Sequence, residues 1–400
     1  MRKAISVQFL VGLLLAVAIV LLCGCASRPI LSDVDVSPSL ISPNADGVAD
    51  VTRISYRLTA SADLSIYLVD AQGVKHYFRK DQRRSAGRYG VDFGGVVDGR
   101  MLPDGDYELV VEAMDARGQT YRVSRSLSLR DADTVLPELL NFSVYPQRFT
   151  PNQDGYDDRV KVSYYLTKPA DVRVFLVDKD GNRFPLAEQE GVVKSGEVGT
   201  HIYDYAGGVD EGATPPPDGI YEVRAEARDK VGNLTVATST LEIADGGVPR
   251  VDIVQAAVEF YPKVVPIGQI LAFTLTVENI GSVPVRTTGP APGTLYTSSQ
   301  NFNTLGYTES PGAWRVGIDF ENNSSGRPYP YRWALAPDDQ LTVIGEGKYL
   351  MPGQRATVTG FIRITDKPPR HAPHFWAGLI HEDVRILLDH VDPQVIEIAY

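Results

Sequence analysis

The chain is 400 residues long and carries 39 Lys and Arg against 50 Asp and Glu, a net charge of −11. That balance excludes the basic footprint that nucleic-acid binding requires. With 36 Gly, 27 Pro and 20 Tyr against 4 Met, and no sustained helical period past the first residues, the composition predicts strands and turns.

The N-terminus comes first in chain order. Arg2 and Lys3 precede the apolar run "AISVQFLVGLLLAVAIVLL", which closes on "LCGCAS". A charged start, an apolar stretch and small residues at the exit predict a secretory signal, with an uncleaved membrane helix as the alternative. Leu22-Cys23-Gly24-Cys25 resembles the lipobox of bacterial lipoproteins. That resemblance implies cleavage after Gly24, lipid on Cys25, residues 1–24 as signal and 25–32 as a linker. Cys23 would then leave and Cys25 be consumed, so the mature chain would have no thiol and would carry a charge of −13. Two or three acyl chains hold a protein firmly at a membrane surface, so the expected location is extracytoplasmic and membrane-anchored.

"SPNADGVAD" at residues 42–50 returns as "TPNQDGYDD" at 150–158, and "DVTRISYRLTASADLSIYLVDAQG" then lies over "DRVKVSYYLTKPADVRVFLVDKDG" without a gap. After a variable loop, "PDGDYELVVEAMDARGQ" from Pro103 matches "PDGIYEVRAEARDKVGN" from Pro217. A unit of roughly 100 residues is large enough to hold its own core, which predicts domains at 33–131 and 136–244. Tyr107, Leu109, Val111 and Ala113 alternate with Glu108, Val110, Glu112 and Met114, and Tyr221, Val223, Ala225 and Ala227 with Glu222, Arg224, Glu226 and Arg228. Period two with one apolar face is a half-buried antiparallel strand, and short strands between "DAQG", "PDG" and "DKDG" turns predict immunoglobulin-like sandwiches.

These residues resemble the Ig-like domain at the end of the flagellar hook-capping protein FlgD and of many surface proteins. The likeness covers about half of the chain and bears on fold, since function lives in sites grafted onto folds. From Val251 the pattern changes. "LAFTLTVENIG" and "RATVTGFIRITD" each place apolar residues on one face, and "VENIGSVPV" with "MPGQRATVTGFIRI" is similar to strands of bacterial adhesion-type Ig-like domains. A third sandwich at 250–400 is expected, giving an all-β chain of three consecutive Ig-like domains. Residues 287–337 read as a long aromatic insert without strong strand pattern, the kind of segment that is usually functional or partly disordered.

Three groups of residues are candidates for chemistry. Numbered from Ser42 or Thr150, the repeated loop puts Asn44, Asp46 and Asp50, or Asn152, Asp154 and Asp158, where calcium-loop oxygens belong, with Gly47 or Gly155 at the tight turn. Position 1 is a hydroxyl, however, and position 12 is Arg53 or Lys161, so an Asx turn is the competing reading and Ca2+ the one ion considered. His371, His374, His381 and His390 cluster in sequence beside Glu382 and Asp383, without the His-Glu-x-x-His spacing of a zinc helix. In the aromatic insert, Tyr307, Trp314, Tyr329, Tyr331 and Trp333 offer flat apolar faces with polar edges, the chemistry of sugar faces and protein hot spots, or else core packing.

No Gly-x-Ser-x-Gly or phosphate loop is present, so no catalytic residue is assigned. The expected function is a non-enzymatic, membrane-anchored surface protein in which two Ig-like repeats present a C-terminal module to a protein or glycan. A metal-dependent or accessory hydrolase acting on envelope polymer is the alternative.

Overall fold

The computed structural model describes residues 29–366 and 370–399, so the signal segment and Cys25 lie outside the described residues. The described chain is all-β, with four short 3-10 turns and no longer helix. None of its helices is long and apolar enough to cross a membrane.

Alternation in the sequence becomes alternation in burial. In Thr52–Leu58 and Val160–Leu166, every second residue is buried, and the same holds for Gly219–Arg228. Between residues 31 and 129 the strands form a three-stranded sheet (Leu31–Ser37, Thr52–Leu58, Gly87–Phe93) and a five-stranded one. The latter runs Leu40–Ile41, Thr120–Leu129, Gly105–Met114, Ala62–Val69, Lys75–Arg84. The same three-plus-five pattern recurs between residues 139 and 243. In each copy the Tyr of "PDG-x-Tyr" donates back to a carbonyl four residues earlier, Tyr107 to Pro103 at 2.8 Å and Tyr221 to Pro217 at 2.5 Å. This tyrosine corner ties the start of a core strand to the turn that feeds it.

The chain divides into two compact units. One holds the described residues to Glu138 with Lys168–Asp171 and Ala227–Thr235. Its core is built on Ile41, Ile54, Leu64, Ile66, Leu109 and Leu127, all fully buried. Within this unit Lys168 Nζ lies 2.6 Å from both Asp133 and Asp229, and the Asn233 side chain accepts from Met101 N at 2.7 Å. The segment that follows the first copy is thus held by side chains of the second.

The other unit holds Leu139–Thr167, Val172–Glu226 and the chain from Val236. Past Val251, one sheet is centred on Ile270–Asn279 paired with Arg355–Arg363. A four-stranded sheet runs Tyr331–Ala334, Trp314–Phe320, His374–His381, Arg385–Val395. A single apolar core joins residues of both sheets, including Phe273, Val358, Trp314, Val316 and Trp333.

Here the structure corrects one expectation. The supposed insert at 287–337 supplies two strands of the four-stranded sheet. Trp314–Phe320 is buried at six of its seven positions and Tyr331–Ala334 at all four. Strands covered on both faces do not alternate, so period two is silent there.

Candidate functional site

The repeated loop is built alike in both copies. Asp50 accepts from Ala45 N at 2.9 Å and Gly47 N at 2.8 Å, while Asn44 accepts from Asp46 N at 2.9 Å and Asp46 from Val48 N at 2.7 Å. In the second copy Asp158 accepts from Gly155 N at 2.6 Å, Asn152 from Asp154 N at 3.0 Å and Asp154 from Tyr156 N at 2.9 Å. The hydroxyl at position 1 is a donor, Ser42 to Val48 O at 3.0 Å and Thr150 to Tyr156 O at 2.9 Å. Side-chain oxygens therefore converge on backbone N–H groups, the bonding of an Asx turn. Melting curves of the chain in millimolar calcium and in chelator are expected to coincide, because only a ligand of the native state raises its stability. A calcium-dependent rise that Asp154→Ala removes would contradict this.

The two copies differ in what surrounds the loop. In the first, Asp46 is exposed and a Cβ on Gly47 would meet nothing within 4 Å. In the second, Asn152 and Asp154 are buried, and the loop is seated against the C-terminal sheets. Tyr349 donates its hydroxyl to Asp154 Oδ2 at 2.8 Å. Arg286 donates to the carbonyls of Asp154 and Pro311, and its guanidinium lies 4.7 Å from the Tyr156 ring centre. His381, stacked on Trp314 at 4.3 Å, donates Nε2–H to Gln153 O at 2.8 Å.

Titration behaviour follows from this burial. Burial pulls the His381 imidazole down to about 4, so at neutral pH it is an uncharged donor. Burial pushes the Asp158 carboxyl up to about 6, with the Asp154 charge adding to it. The folded loop then holds that proton more tightly than the unfolded chain does. Its contribution to stability is complete below about pH 4 and is lost as the pH rises through 6. Burial and the bond to Asp154 also hold the Tyr349 hydroxyl well above the usual phenol range.

The aromatic candidates separate. Trp314, Tyr329, Tyr331 and Trp333 are each at most 2% exposed, so most of their ring area is spent on packing and only Tyr307, at 37%, faces solvent. Trp333 meets Phe273 edge-on at 4.7 Å and donates to Thr294 O at 3.1 Å, while Tyr329 donates to Asp389. Burial with satisfied polar tips is what core aromatics require, and it corrects the ligand reading for Trp314, Tyr329 and Trp333. Tyr331 is the exception, because its ring lines a hollow of about 260 Å3 together with Phe320 and Phe375. Ser298, Asn322 and Asp366 stand on the polar rim. Phe320 stacks on Phe375 at 5.4 Å and on Tyr331 at 6.1 Å, both at 24°.

The histidines do not converge. His374 pairs with Glu321 at 3.1 Å, His390 stacks on Trp376 at 4.2 Å, His371 lies 3.4 Å from Glu397, and His381 faces the repeat loop. Among the described residues no three His, Cys, Asp or Glu side chains gather as a metal would need. Nearby, Glu382 is gripped by Arg315 at 2.9 Å and by Arg332 at 2.8 Å, all three buried. Isolated arginines in a strand pattern gave no sign of that cluster.

Fold and site together define an all-β protein of tandem sandwiches. No family model matches the chain, and no curated protein matches it. Among solved structures it is similar to a tetra-tandem repeat in the extending region of a large adhesion protein. The identity is 13% over 87% of this chain and 81% of that one, with a TM-score of 0.19. It is also similar to a Ca2+-stabilized adhesin with which an Antarctic bacterium reaches out and binds ice, at 14% identity over 86% and 74% of the two chains and a TM-score of 0.21. A DUF4785 family protein from Legionella pneumophila shares 10% identity over 86% and 82%, with a TM-score of 0.22. At such scores the likeness carries no argument about arrangement or activity.

Proposed function

We propose that this is a non-enzymatic surface protein, exported and lipid-anchored through Cys25, in which the tandem repeats carry a C-terminal binding module. In this reading the domains are 33–131, 136–244 and 250–400. The observation that supports it is the seating of the second-copy loop. A turn that is solvent-exposed in the first copy becomes a buried plug in the second, held by Tyr349, Arg286 and His381. A module gripped by its neighbour is held at a fixed angle, which suits presentation rather than free tumbling.

The hollow lined by Phe320, Tyr331 and Phe375 is the proposed contact point. Stacked aromatic floor and a hydroxyl, amide and carboxylate rim match a sugar ring, with its apolar face and polar edge. A glycan array probed with residues 26–400 is expected to give hits that Asn322→Ala with Asp366→Ala, both exposed on the rim, weaken strongly while the melting temperature holds. An array without hits, or hits unaffected by that pair of changes, would remove the glycan reading and leave a protein partner. Replacing Cys25 with Ser is expected to release the protein from membranes or leave it unprocessed, whereas Cys23→Ser leaves palmitate labelling intact. Labelling that follows Cys23 would overturn the anchor.

A further inference from the structure

The chain is acidic as a whole, yet one strand reverses its sign. "KHYFRKDQRRSAGR" at 75–88 holds six Lys and Arg against the single acid Asp81. The matching stretch of the second copy, "RFPLAEQEGVVKSGEVGT" at 183–200, holds two basic residues against three acidic ones. The match is fixed by register, since Val69 pairs with Lys75 as Val177 pairs with Arg183, and Leu58 with Gly87 as Leu166 with Gly199. The backbone differs as well: Lys75–Arg84 is a strand of ten residues, whereas its counterpart Arg183–Pro185 has three. Two copies of one fold thus diverge in charge and shape at the same edge.

That edge is open to solvent. Lys75–Arg84 is the outermost strand of its five-stranded sheet, and Gly87–Phe93 the outermost of the three-stranded sheet. Phe78 against Phe93 at 4.9 Å, and Arg84 over Tyr89 at 6.0 Å, bring the two edges together on one side. Arg83 is paired with Asp63 at 3.3 Å. Among the described residues no carboxylate pairs with Arg57, Lys75, Arg79, Lys80, Arg84 or Arg88. Lys75 and Lys80 lie over tyrosine rings, 4.6 Å from Tyr67 and 5.2 Å from Tyr77. Lys75 and Lys80 stand on the outer face of one sheet and Arg57 and Arg88 on that of the other, so the six cations flank the open edge where the two sheets meet, and an edge of that kind is stabilised by a polyanion.

Position in the chain indicates which polyanion. Ser32 pairs with Arg57, and Arg57 with Arg88, so the end of this edge that holds Arg57, Arg84 and Arg88 lies where the chain enters the first sheet, and the edge runs from there to Lys75. Cys25 is six residues before Leu31, a reach of about 20 Å at full extension. We propose that the basic edge of the first repeat docks on the anionic phospholipid headgroups of the membrane that anchors the chain. The proposal takes its choice of occupant from the Cys25 anchor; the charge asymmetry does not depend on it. Docking would add an electrostatic contact to the lipid anchor and fix the angle at which the repeats leave the surface. The second copy, farther along the chain, has no such partner and keeps no such charge.

The test uses residues 26–400, which contain the whole described fold and carry no lipid, so failure of the anchor and failure of the basic edge are read separately. Co-sedimentation is measured with vesicles of phosphatidylglycerol mixed with phosphatidylcholine and with phosphatidylcholine alone. Binding is expected only to the anionic vesicles, and high salt is expected to release it. Lys75→Glu, Lys80→Glu and Arg88→Glu together are expected to weaken it roughly a hundredfold or more, at about fivefold per charge removed. The neutral set Lys75→Gln, Lys80→Gln and Arg88→Gln should give a smaller loss, and Lys161→Glu, Lys179→Glu and Lys194→Glu in the second copy little change. Equal binding to neutral vesicles, no binding to anionic ones at low salt, or equal loss from the second-copy set would overturn the proposal. Capture by dextran sulfate without vesicle binding would also overturn it, by assigning the edge to a soluble polyanion.

Discussion

Glu382→Gln is expected to lower the stability of the C-terminal sandwich by about 3–5 kcal/mol, the cost of breaking a buried ion pair from one side. Arg315 and Arg332 are 1% and 6% exposed, and Glu382 is the carboxylate they share. Their remaining donors reach only neutral carbonyls, Arg315 to Thr288 O at 2.6 Å and Thr308 O at 2.8 Å, Arg332 to Tyr329 O and Pro328 O at 3.0 Å. The Phe302 ring, 4.4 Å from the Arg332 guanidinium and 5.3 Å from that of Arg315, adds a second weak counter-field. Burial already pulls the Arg315 pKa down from its ordinary value, so its charged form depends on that carboxylate. Removing the negative charge strands two cations in the core. The check is a urea titration followed by Trp fluorescence. The companion triple change Arg315→Met, Glu382→Leu and Arg332→Met should recover most of the loss, because an apolar replacement of a whole buried triad is often neutral.

Gly155→Ala and Gly47→Ala should differ sharply although the two glycines occupy the same place in the repeat and share a φ of +90°. Gly47→Ala carries only the left-handed backbone penalty, about 1 kcal/mol. At Gly155 a Cβ would stand 2.1 Å from the carbonyl oxygen of Pro311, and at Gly312 one would stand 2.3 Å from the carbonyl carbon of Asp154. Both obstacles are backbone, so no rotamer change relieves them. Overpacking adds about 1–3 kcal/mol, giving about 2–4 kcal/mol for Gly155→Ala, and the loop should unseat. In scanning calorimetry the variant is expected to show an early, separate transition that the Gly47→Ala protein lacks.

The repeats were legible because several of their strands, Thr52–Leu58, Val160–Leu166 and Gly219–Arg228 among them, have one wet face. Tyr107, Leu109, Val111 and Ala113 announce the strand by alternation, and "PDG" announces the turn before it. Trp314–Phe320 and Tyr331–Ala334 were not legible, since burial on both faces erases the alternation and leaves a run that reads as an aromatic loop. The loop motif itself was visible, with its turn chemistry, but not its seat. Arg286 and Tyr349 lie 132 and 195 residues from Asp154, and nothing local in the sequence marks them as its partners. The Arg–Glu–Arg cluster was hidden for a related reason, because charged residues in a strand pattern normally imply the solvent face.

The second repeat grips the C-terminal sandwich through Gln153, Asp154 and Gly155. Because the chain has no cysteine past Cys25, spin labels can be placed at will on residues 26–400. Labels on Cys introduced at the exposed strand positions Glu222 and Arg355 allow the distance between the two parts to be measured by pulsed electron resonance. One narrow distance distribution in the otherwise unaltered chain, broadened by Gly155→Ala and unchanged by Gly47→Ala, is the result predicted. A distribution equally broad in all three proteins would show that the loop does not hold the sandwich in place.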